Sequence, residues 1–152
     1  DDVVLVEEEH IAAAILMLLE RKKTLAEGAG AAPLAALLKG AISLPRGGKV
    51  ALLISGGNVD SPLLGRIINQ GLLKNSRIMR ISVCLDDAPG SLSRLLARVA
   101  RLEANVLNIF HDRNVLDIPI NVTRVELELE TRCAKHVAAV LKDLEAAGYN
   151  LE

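Results

Sequence analysis

Two stretches in the second half of the chain alternate between apolar and polar residues, the pattern of strands with one buried face. They are "MRISVCL" at residues 79–85 and "RVELELE" at residues 124–130. We predict a further strand in "NVLNIFHDR" and a short final strand in "YNLE".

Between these strands, apolar residues recur at the spacing of amphipathic helices. One helical face carries Leu92, Leu95, Leu96, Val99 and Leu102, and a second, followed by Gly148, carries Val137, Val140, Leu141 and Leu144. The resulting βαββαβ order is the ferredoxin-like arrangement, an antiparallel sheet with two helices on one face. We assign this α+β fold to residues 76–152.

The first half instead contains all-apolar runs at residues 3–6 and 49–54, typical of strands covered on both faces in a parallel α/β sheet. Helices are predicted from Glu7 to Lys23, from about Pro33 to Gly40, and from Ser61 through "LLGRIINQGLLK". Two strands do not make a sheet with protected edges. We therefore expect that part of this fold is missing from residues 1–75.

Charge and composition narrow the classes of function. The 152 residues contain 18 Lys and Arg against 19 Asp and Glu, and Phe110 and Tyr149 are the only aromatic residues. Such a chain lacks both the positive field and the stacking surfaces of a nucleic-acid-binding protein. No apolar run is long enough for a membrane span. Cys84 and Cys133 are far apart and lack a metal-ligand spacing, so we expect reduced thiols in a cytoplasmic protein.

Several polar features have an ordinary structural interpretation. The three histidines have no nucleophile or ligand partner nearby in sequence, which favours surface or packing roles. One helical face carries Arg94, Arg98 and Arg101. We predict that these side chains are exposed to solvent, with contact to a partner as the alternative. The turn in "VALLISGGN", residues 50–58, is open to three interpretations from its residues alone: a tight connection, a phosphate cradle or another part of an active site.

Two groups of motifs resemble known families. The βαββαβ order with "DDAPGSLSRLLARVARLEANVLNIFHDR" resembles an ACT domain, a small module that binds amino acids and regulates metabolic enzymes. Upstream, "EGAGAAPLAALL" and "LLISGGNVD" resemble the last part of the catalytic domain of threonine dehydratases, fold-type II enzymes that use pyridoxal 5′-phosphate. The chain is thereby identified as a C-terminal portion of a threonine dehydratase with one ACT domain. Its first residue is not methionine, as we expect if the sequence is a piece of a longer protein.

The resemblance implies a cofactor site in the first half. Ser55 occupies the position that contacts the pyridine nitrogen, and Gly56, Gly57 and Asn58 complete that motif; Glu27 would lie near the ring edge. A hydroxyl can donate a hydrogen bond to a neutral pyridine nitrogen but does not favour its protonation. The reaction so implied converts L-threonine, and L-serine likewise, into 2-oxobutanoate or pyruvate and ammonia.

The resemblance also implies that the Schiff-base lysine and the glycine-rich phosphate loop lie outside this sequence. None of the lysines in the first half lies in a motif like that of the Schiff-base lysine. They are Lys22, Lys23, Lys39, Lys49 and Lys74. We therefore expect this chain alone to have no dehydratase activity and not to hold the cofactor covalently.

In the ACT family, the effector site lies between two paired domains. It uses backbone N–H groups at the turn from strand to helix, a polar side chain just before them, and an asparagine at the start of the second strand. The corresponding residues here are Asp87, Gly90, Ser91, Leu92 and Asn105, with Asn108 as a rival for the asparagine. Isoleucine or valine is the expected effector because 2-oxobutanoate leads towards isoleucine, and a homodimer is the expected assembly. The alternative is a stand-alone amino-acid-sensing or oligomerisation module without a catalytic role.

Overall fold

A computed structural model of the chain describes residues 3–44, 46–113 and 116–151. The chain forms two compact units, Asp1–Gly71 and Leu72–Glu152. The division lies a few residues before the predicted boundary between residues 75 and 76. The assignment of the two units to a catalytic and a regulatory domain stays a prediction.

The first unit is built from helices. Helix α1 (Glu8–Met17) continues into one π-helical turn (Leu18–Lys22), and α2 (Gly28–Leu38) and α3 (Ser61–Lys74) follow. The buried core joins apolar residues of α1 to small residues of α2 and to α3: Ala14, Ile15, Leu16, Leu18, Ala26, Ala31, Ala35 and Ile67. Alanine on the facing sides lets α1 and α2 approach closely.

Both strands predicted for the first unit are wrong. Residues 3–6 and 49–54 form no strand pairing in the described chain. The side chains of Val3, Leu5 and Leu53 are 92%, 84% and 81% exposed. A strand needs hydrogen bonds from a neighbour on at least one side, and the apolar pattern cannot supply that neighbour.

The second helix begins earlier than predicted. Helix α2 starts at Gly28, so Pro33 lies inside it rather than at its start. Proline removes one backbone hydrogen bond and crowds the preceding turn. The helix nevertheless extends, because its alanines favour helix and because Gly30 and Ala31 are buried within the unit. Gly40 follows the helix with φ +72°, as expected of a C-terminal stop.

The second unit has the predicted βαββαβ order. Its elements are β1 (Ile78–Asp86), α4 (Ser91–Arg101), β2 (Asn105–Asp112), β3 (Val122–Glu130), α5 (Ala134–Ala146) and β4 (Asn150–Leu151). The sheet is antiparallel between neighbours, with the spatial order β2-β3-β1-β4. The chain therefore has the expected mixed α and β architecture, with a ferredoxin-like second unit.

The strand register in the second unit agrees with the alternation of apolar and polar residues in the sequence. Strand β1 pairs with β3 from Ile78 opposite Glu130 to Asp86 opposite Val122. One sheet face packs on α4 and α5 and forms the core: Met79, Ile81, Val83, Leu85, Leu95, Val99, Ala104, Val125, Leu127, Leu129, Val140 and Leu144. Charged residues of β1 and β3 occupy the opposite face.

No helix in the described part of the chain has both the length and the apolar character needed to cross a bilayer. Cys84 and Cys133 are both free; Cys84 is half-buried in β1 and Cys133 is exposed just before α5. No cluster of three or more His, Cys, Asp and Glu side chains suited to a metal ion occurs among the described residues.

Candidate functional site

The "SGGN" turn lies against the start of α2. The backbone N–H of Glu27 donates to the carbonyl of Gly56 at 3.0 Å, joining segments that are 29 residues apart in sequence. Glu27 is half-buried, whereas Ser55, Gly56 and Gly57 are exposed. Four of the five residues assigned to the cofactor are therefore neighbours in the structure.

Glycine is required on both sides of this contact. A Cβ atom built on Gly30 would overlap the carbonyl group of Ser55, and one built on Gly56 would overlap the carboxyl group of Glu27. Gly56 also has φ +66°, a conformation that side chains disfavour. The glycines thus hold the turn against α2 and leave the Ser55 residue exposed.

Asn58 directly follows the two glycines of the turn and is exposed. It lines a cavity of about 660 Å³ between α1, α3 and the start of α2. Its lining includes the apolar Ile11, Ile15 and Ile67 together with acidic residues and one arginine: Glu8, Glu9, Asp60 and Arg66. Gly28, the residue after Glu27, lines the same cavity as Asn58.

The residues present fit the pyridine side of pyridoxal phosphate. An exposed serine hydroxyl is a suitable donor to a ring nitrogen, and a glycine backbone permits close approach of a flat ring. The five lysines of residues 1–75 are placed differently, since all are exposed and Lys39 forms an ion pair with Glu7 at 2.8 Å. The Schiff-base and phosphate contacts would have to come from other residues.

The turn between β1 and α4 has the geometry of an anion-accepting helix start. Gly90 precedes α4 with φ +88°, a value that favours glycine. Ser91 begins the helix, is buried, and donates its N–H to the carbonyl of Ala88 at 3.2 Å. The next N–H groups of the first turn, those of Leu92 and Ser93, have no partner within the helix. Leu92 is half-buried against the core of the unit.

Asp87 is held in this turn by two contacts. Its backbone N–H donates to the carbonyl of Asn121 at 2.8 Å, and its carboxylate pairs with Arg113 Nε at 3.2 Å. Arg113 directly follows β2, so the end of β2 lies beside the turn. Arg113 could not be predicted as part of this turn, because only the topology of the sheet shows that the two segments meet.

Asn105 lies at the other end of the sheet. Asp86, beside the turn, is opposite Val122 of β3, whereas Asn105 is opposite Glu130. Eight residues of β3 separate these positions, a distance of about 27 Å at the rise of an antiparallel strand. One copy of the chain therefore does not bring Asn105 to the turn.

The rival asparagine is already engaged. Asn108 Nδ2 donates to Glu128 Oε2 at 2.5 Å on the open sheet face, and Arg80 donates to the other oxygen of Glu128 at 2.8 and 3.0 Å. Asn105 Nδ2 has only a long contact of 3.4 Å to Glu130. Of the two, Asn105 is the freer to bind a ligand.

Histidine 136 has a packing role. It is buried; Nδ1 accepts a hydrogen bond from the N–H of Arg132 at 3.1 Å, and Nε2 lies 2.7 Å from the carbonyl of Leu102. The ring thereby connects the start of α5 to the end of α4.

Curated relatives of the chain are ammonia-lyases and dehydratases. L-threonine ammonia-lyase of Thermotoga maritima is 48% identical over 151 residues, which is 99% of this chain and 37% of that protein. L-threonine ammonia-lyase of Geobacter sulfurreducens is 46% identical over 149 residues, 98% of this chain and again 37% of that protein. The catabolic L-threonine dehydratase TdcB of Staphylococcus aureus strain N315 is 45% identical over 74 residues, 47% of this chain and 21% of that protein. No family model matches the sequence.

These similarities define the class as the threonine ammonia-lyases and dehydratases. The chain belongs to the threonine ammonia-lyase family and corresponds to a C-terminal portion of its members. It spans 37% of the length of the two relatives that match it almost throughout.

Proposed function

We propose that the chain is the part of a threonine ammonia-lyase that completes the cofactor site and regulates the enzyme. The complete protein would convert L-threonine, and L-serine likewise, into 2-oxobutanoate or pyruvate and ammonia. The observation that carries this proposal is the packing of the Ser55–Gly57 turn on the start of α2, within a chain nearly all of which matches the Thermotoga maritima ammonia-lyase.

The first unit would hold one side of pyridoxal phosphate. Ser55 would donate its hydroxyl hydrogen to the pyridine nitrogen, and Glu27 would lie near the ring edge, with Gly56 and Gly57 allowing the backbone close to it. Pyridoxal phosphate supplies the electron sink for elimination at the substrate. A serine hydroxyl leaves the ring nitrogen neutral, which suits prompt elimination of the β-hydroxyl group.

The second unit would bind an amino-acid effector between two copies. The described edge strand β2 exposes Leu107, Ile109 and Phe110, with 41%, 43% and 63% of their surface open to solvent. An apolar edge strand favours pairing with another strand. Antiparallel pairing of β2 with β2 of a second copy, about the middle of the strand, would place Asn105 of that copy beside Asp112 of the first.

This pairing would complete the proposed effector site. Asp112 precedes Arg113, which contacts Asp87 in the turn before α4. Asn105 of the second copy would thus reach the end of the sheet where the turn lies. The helix start would bind the effector carboxylate, and the Asp87 carboxylate would bind its ammonium group.

A thermal unfolding screen tests the effector. We expect millimolar L-isoleucine or L-valine to raise the unfolding midpoint, because a ligand that binds the folded state stabilises it. D-Isoleucine should have no effect. Asp87→Ala and Asn105→Ala should each abolish the rise, whereas Asn69→Ala, an exposed residue of α3, should retain it. No rise with either L-amino acid would contradict the effector proposal.

The activity is tested separately with a chimera. The part of the Thermotoga maritima relative that precedes its match would be joined to this chain and assayed with L-threonine and pyridoxal phosphate. We expect the chimera to form 2-oxobutanoate and this chain alone to form none. Production of 2-oxobutanoate by the chain alone would contradict the proposed division of the active site.

A further inference from the structure

The arginine stripe of α4 lines a cavity. Arg94, Arg98 and Arg101 follow one another at helical spacing, and the distance along the axis from the first to the last is about 10 Å. Together with Ala97 and Tyr149 they line a surface cavity of about 520 Å³, which we call the arginine cavity. The small side chain of Ala97 leaves space between the guanidinium groups.

Two of the three guanidinium groups are held in position. Arg98 Nε lies 2.5 Å from Asp143 Oδ2, and its Nη2 lies 3.3 Å from Oδ1, a two-point contact with α5. Arg94 Nη2 donates to Ser91 Oγ at 3.0 Å, and Ser91 is itself buried. A fixed planar guanidinium loses less side-chain entropy when it binds a ligand than a mobile one.

The positive charge of the cavity is only partly compensated. Asp143 offsets the charge of Arg98, but Arg94 and Arg101 form no ion pair with a described residue. None of the described residues lining the cavity is acidic. Like charges three or four residues apart destabilise a helix because they repel each other. An anion bound between the guanidinium groups would reduce this repulsion.

The absence of a lining carboxylate also limits the ligand. A free amino acid carries an ammonium group that is best bound by a carboxylate, whereas the described lining offers only the neutral Tyr149 hydroxyl as a side-chain acceptor. A phosphate group carries a charge of about −1.5 to −2 near pH 7 and matches the paired donors of arginine. An adjoining cavity of about 390 Å³ shares Arg94 and Tyr149, but its lining includes the acidic Asp86. The arginine cavity therefore suits an anion small enough to bind within it.

We propose that the arginine cavity binds a small polyanion of the phosphate-monoester or diphosphate class. This site differs from the proposed amino-acid site, because it uses the exposed side of α4 and Tyr149 rather than Asp87 and Asn105; the two sites adjoin where Arg94 donates to Ser91 Oγ. The proposal does not depend on the dehydratase activity.

Inorganic pyrophosphate is the probe for this proposal. In metal-free buffer at constant ionic strength, set with sodium chloride, we expect pyrophosphate to raise the unfolding midpoint of the chain and to bind saturably in calorimetric titration. Arg101→Gln should weaken binding about tenfold, since it removes a charge-assisted hydrogen bond. Arg94→Gln should weaken binding to a similar extent.

Arg132→Gln is the matched control. Arg132 is an exposed arginine of the same unit that pairs with Glu103 at 2.9 Å and does not line the cavity. Its substitution should leave pyrophosphate binding unchanged. The proposal is overturned if pyrophosphate does not bind, if Arg101→Gln binds as well as the unchanged chain, or if Arg132→Gln weakens binding equally. Arg101 forms no described contact that folding requires, so its variant keeps the test decisive even if Arg94→Gln misfolds.

Discussion

The Ser55 carbonyl determines which residue position 30 accepts. Gly30 lies within α2, where alanine would normally stabilise a helix by about 0.5–1 kcal/mol. In this chain a Cβ atom at position 30 would overlap the Ser55 carbonyl, so the turn that carries the proposed cofactor contact would be displaced. Local helix preference and tertiary packing therefore act in opposite directions at this residue.

Substitution of two helical glycines separates these effects. Gly30→Ala should lower the free energy of unfolding of the first unit by about 1–3 kcal/mol, the range typical of overpacking. Gly65→Ala, in α3 with open space around the position, should raise it by about 0.5–1 kcal/mol. Denaturant unfolding followed by circular dichroism measures both. Equal responses of the two variants would show that the Ser55 contact does not restrict position 30.

His136 makes a second prediction at the residue scale. His136→Ala would leave the Arg132 N–H and the Leu102 carbonyl without their partner, and each buried unpaired group costs about 1–3 kcal/mol. Because both hydrogen bonds are only partly buried, we expect a total loss of about 2 kcal/mol in unfolding free energy, the low end of the sum. Lys135→Ala, one residue away and exposed, should change it by less than about 0.5 kcal/mol. A urea midpoint for His136→Ala equal to that of Lys135→Ala would contradict this role.

The open face of the sheet has a pH-dependent contact between three strands. The Asn108 amide first, and the Arg80 guanidinium second, hold the pKa of the Glu128 carboxyl below its ordinary range. A carboxyl whose pKa is lower in the folded state stabilises the fold above the ordinary glutamate pKa of about 4.3. That stabilisation is lost as the pH falls through the lowered pKa.

We therefore expect the stability of Glu128→Gln to fall less steeply than that of the unchanged chain between about pH 5 and pH 3. Glu126→Gln removes an exposed carboxylate from the same strand and serves as the control. Urea unfolding at a series of pH values gives the slopes. If Glu128→Gln and Glu126→Gln show the same slope, the three-strand contact does not contribute to acid sensitivity.

The elements of the second unit were predictable because their partners lie within the chain. Alternation along β1 and β3 determines which side chains face α4 and α5, and the register confirms it. The contact of Asp87 with Arg113 was not predictable, since it depends on where β2 ends. That position depends on an irregularity between Val106 and Asn108, for which the sequence carries no clear signal.

The elements of the first unit were less predictable from the sequence than those of the second. The apolar runs at residues 3–6 and 49–54 have strand composition, but strands form only where a neighbour can pair with them. The early start of α2 depends on burial of Gly30 and Ala31, which periodicity does not reveal. The proximity of Glu27 to Ser55 was implied by the family resemblance, not by any spacing in the chain.

At the scale of the whole molecule, we expect the chain to form a dimer through β2. Phe110→Lys would place a charge on the exposed edge strand and shift the protein to monomer. Ala139→Lys adds the same charge to an exposed position of α5 and should leave the dimer intact. Analytical ultracentrifugation of the three proteins distinguishes these outcomes. A dimer that persists in Phe110→Lys at the same concentration would show that β2 is not the contact.

The central claim is that this chain supplies the residue that contacts the cofactor ring in a threonine ammonia-lyase. The most direct test compares Ser55→Ala with Ser43→Ala, an exposed serine outside the site, in the Thermotoga maritima chimera. We expect Ser55→Ala to lower the turnover of L-threonine by about 10²-fold, as loss of an electrostatic contact to a reacting group does, and to change the visible absorbance of the bound cofactor. Ser43→Ala should leave both unchanged. Equal turnover and equal absorbance for the two variants would contradict the claim.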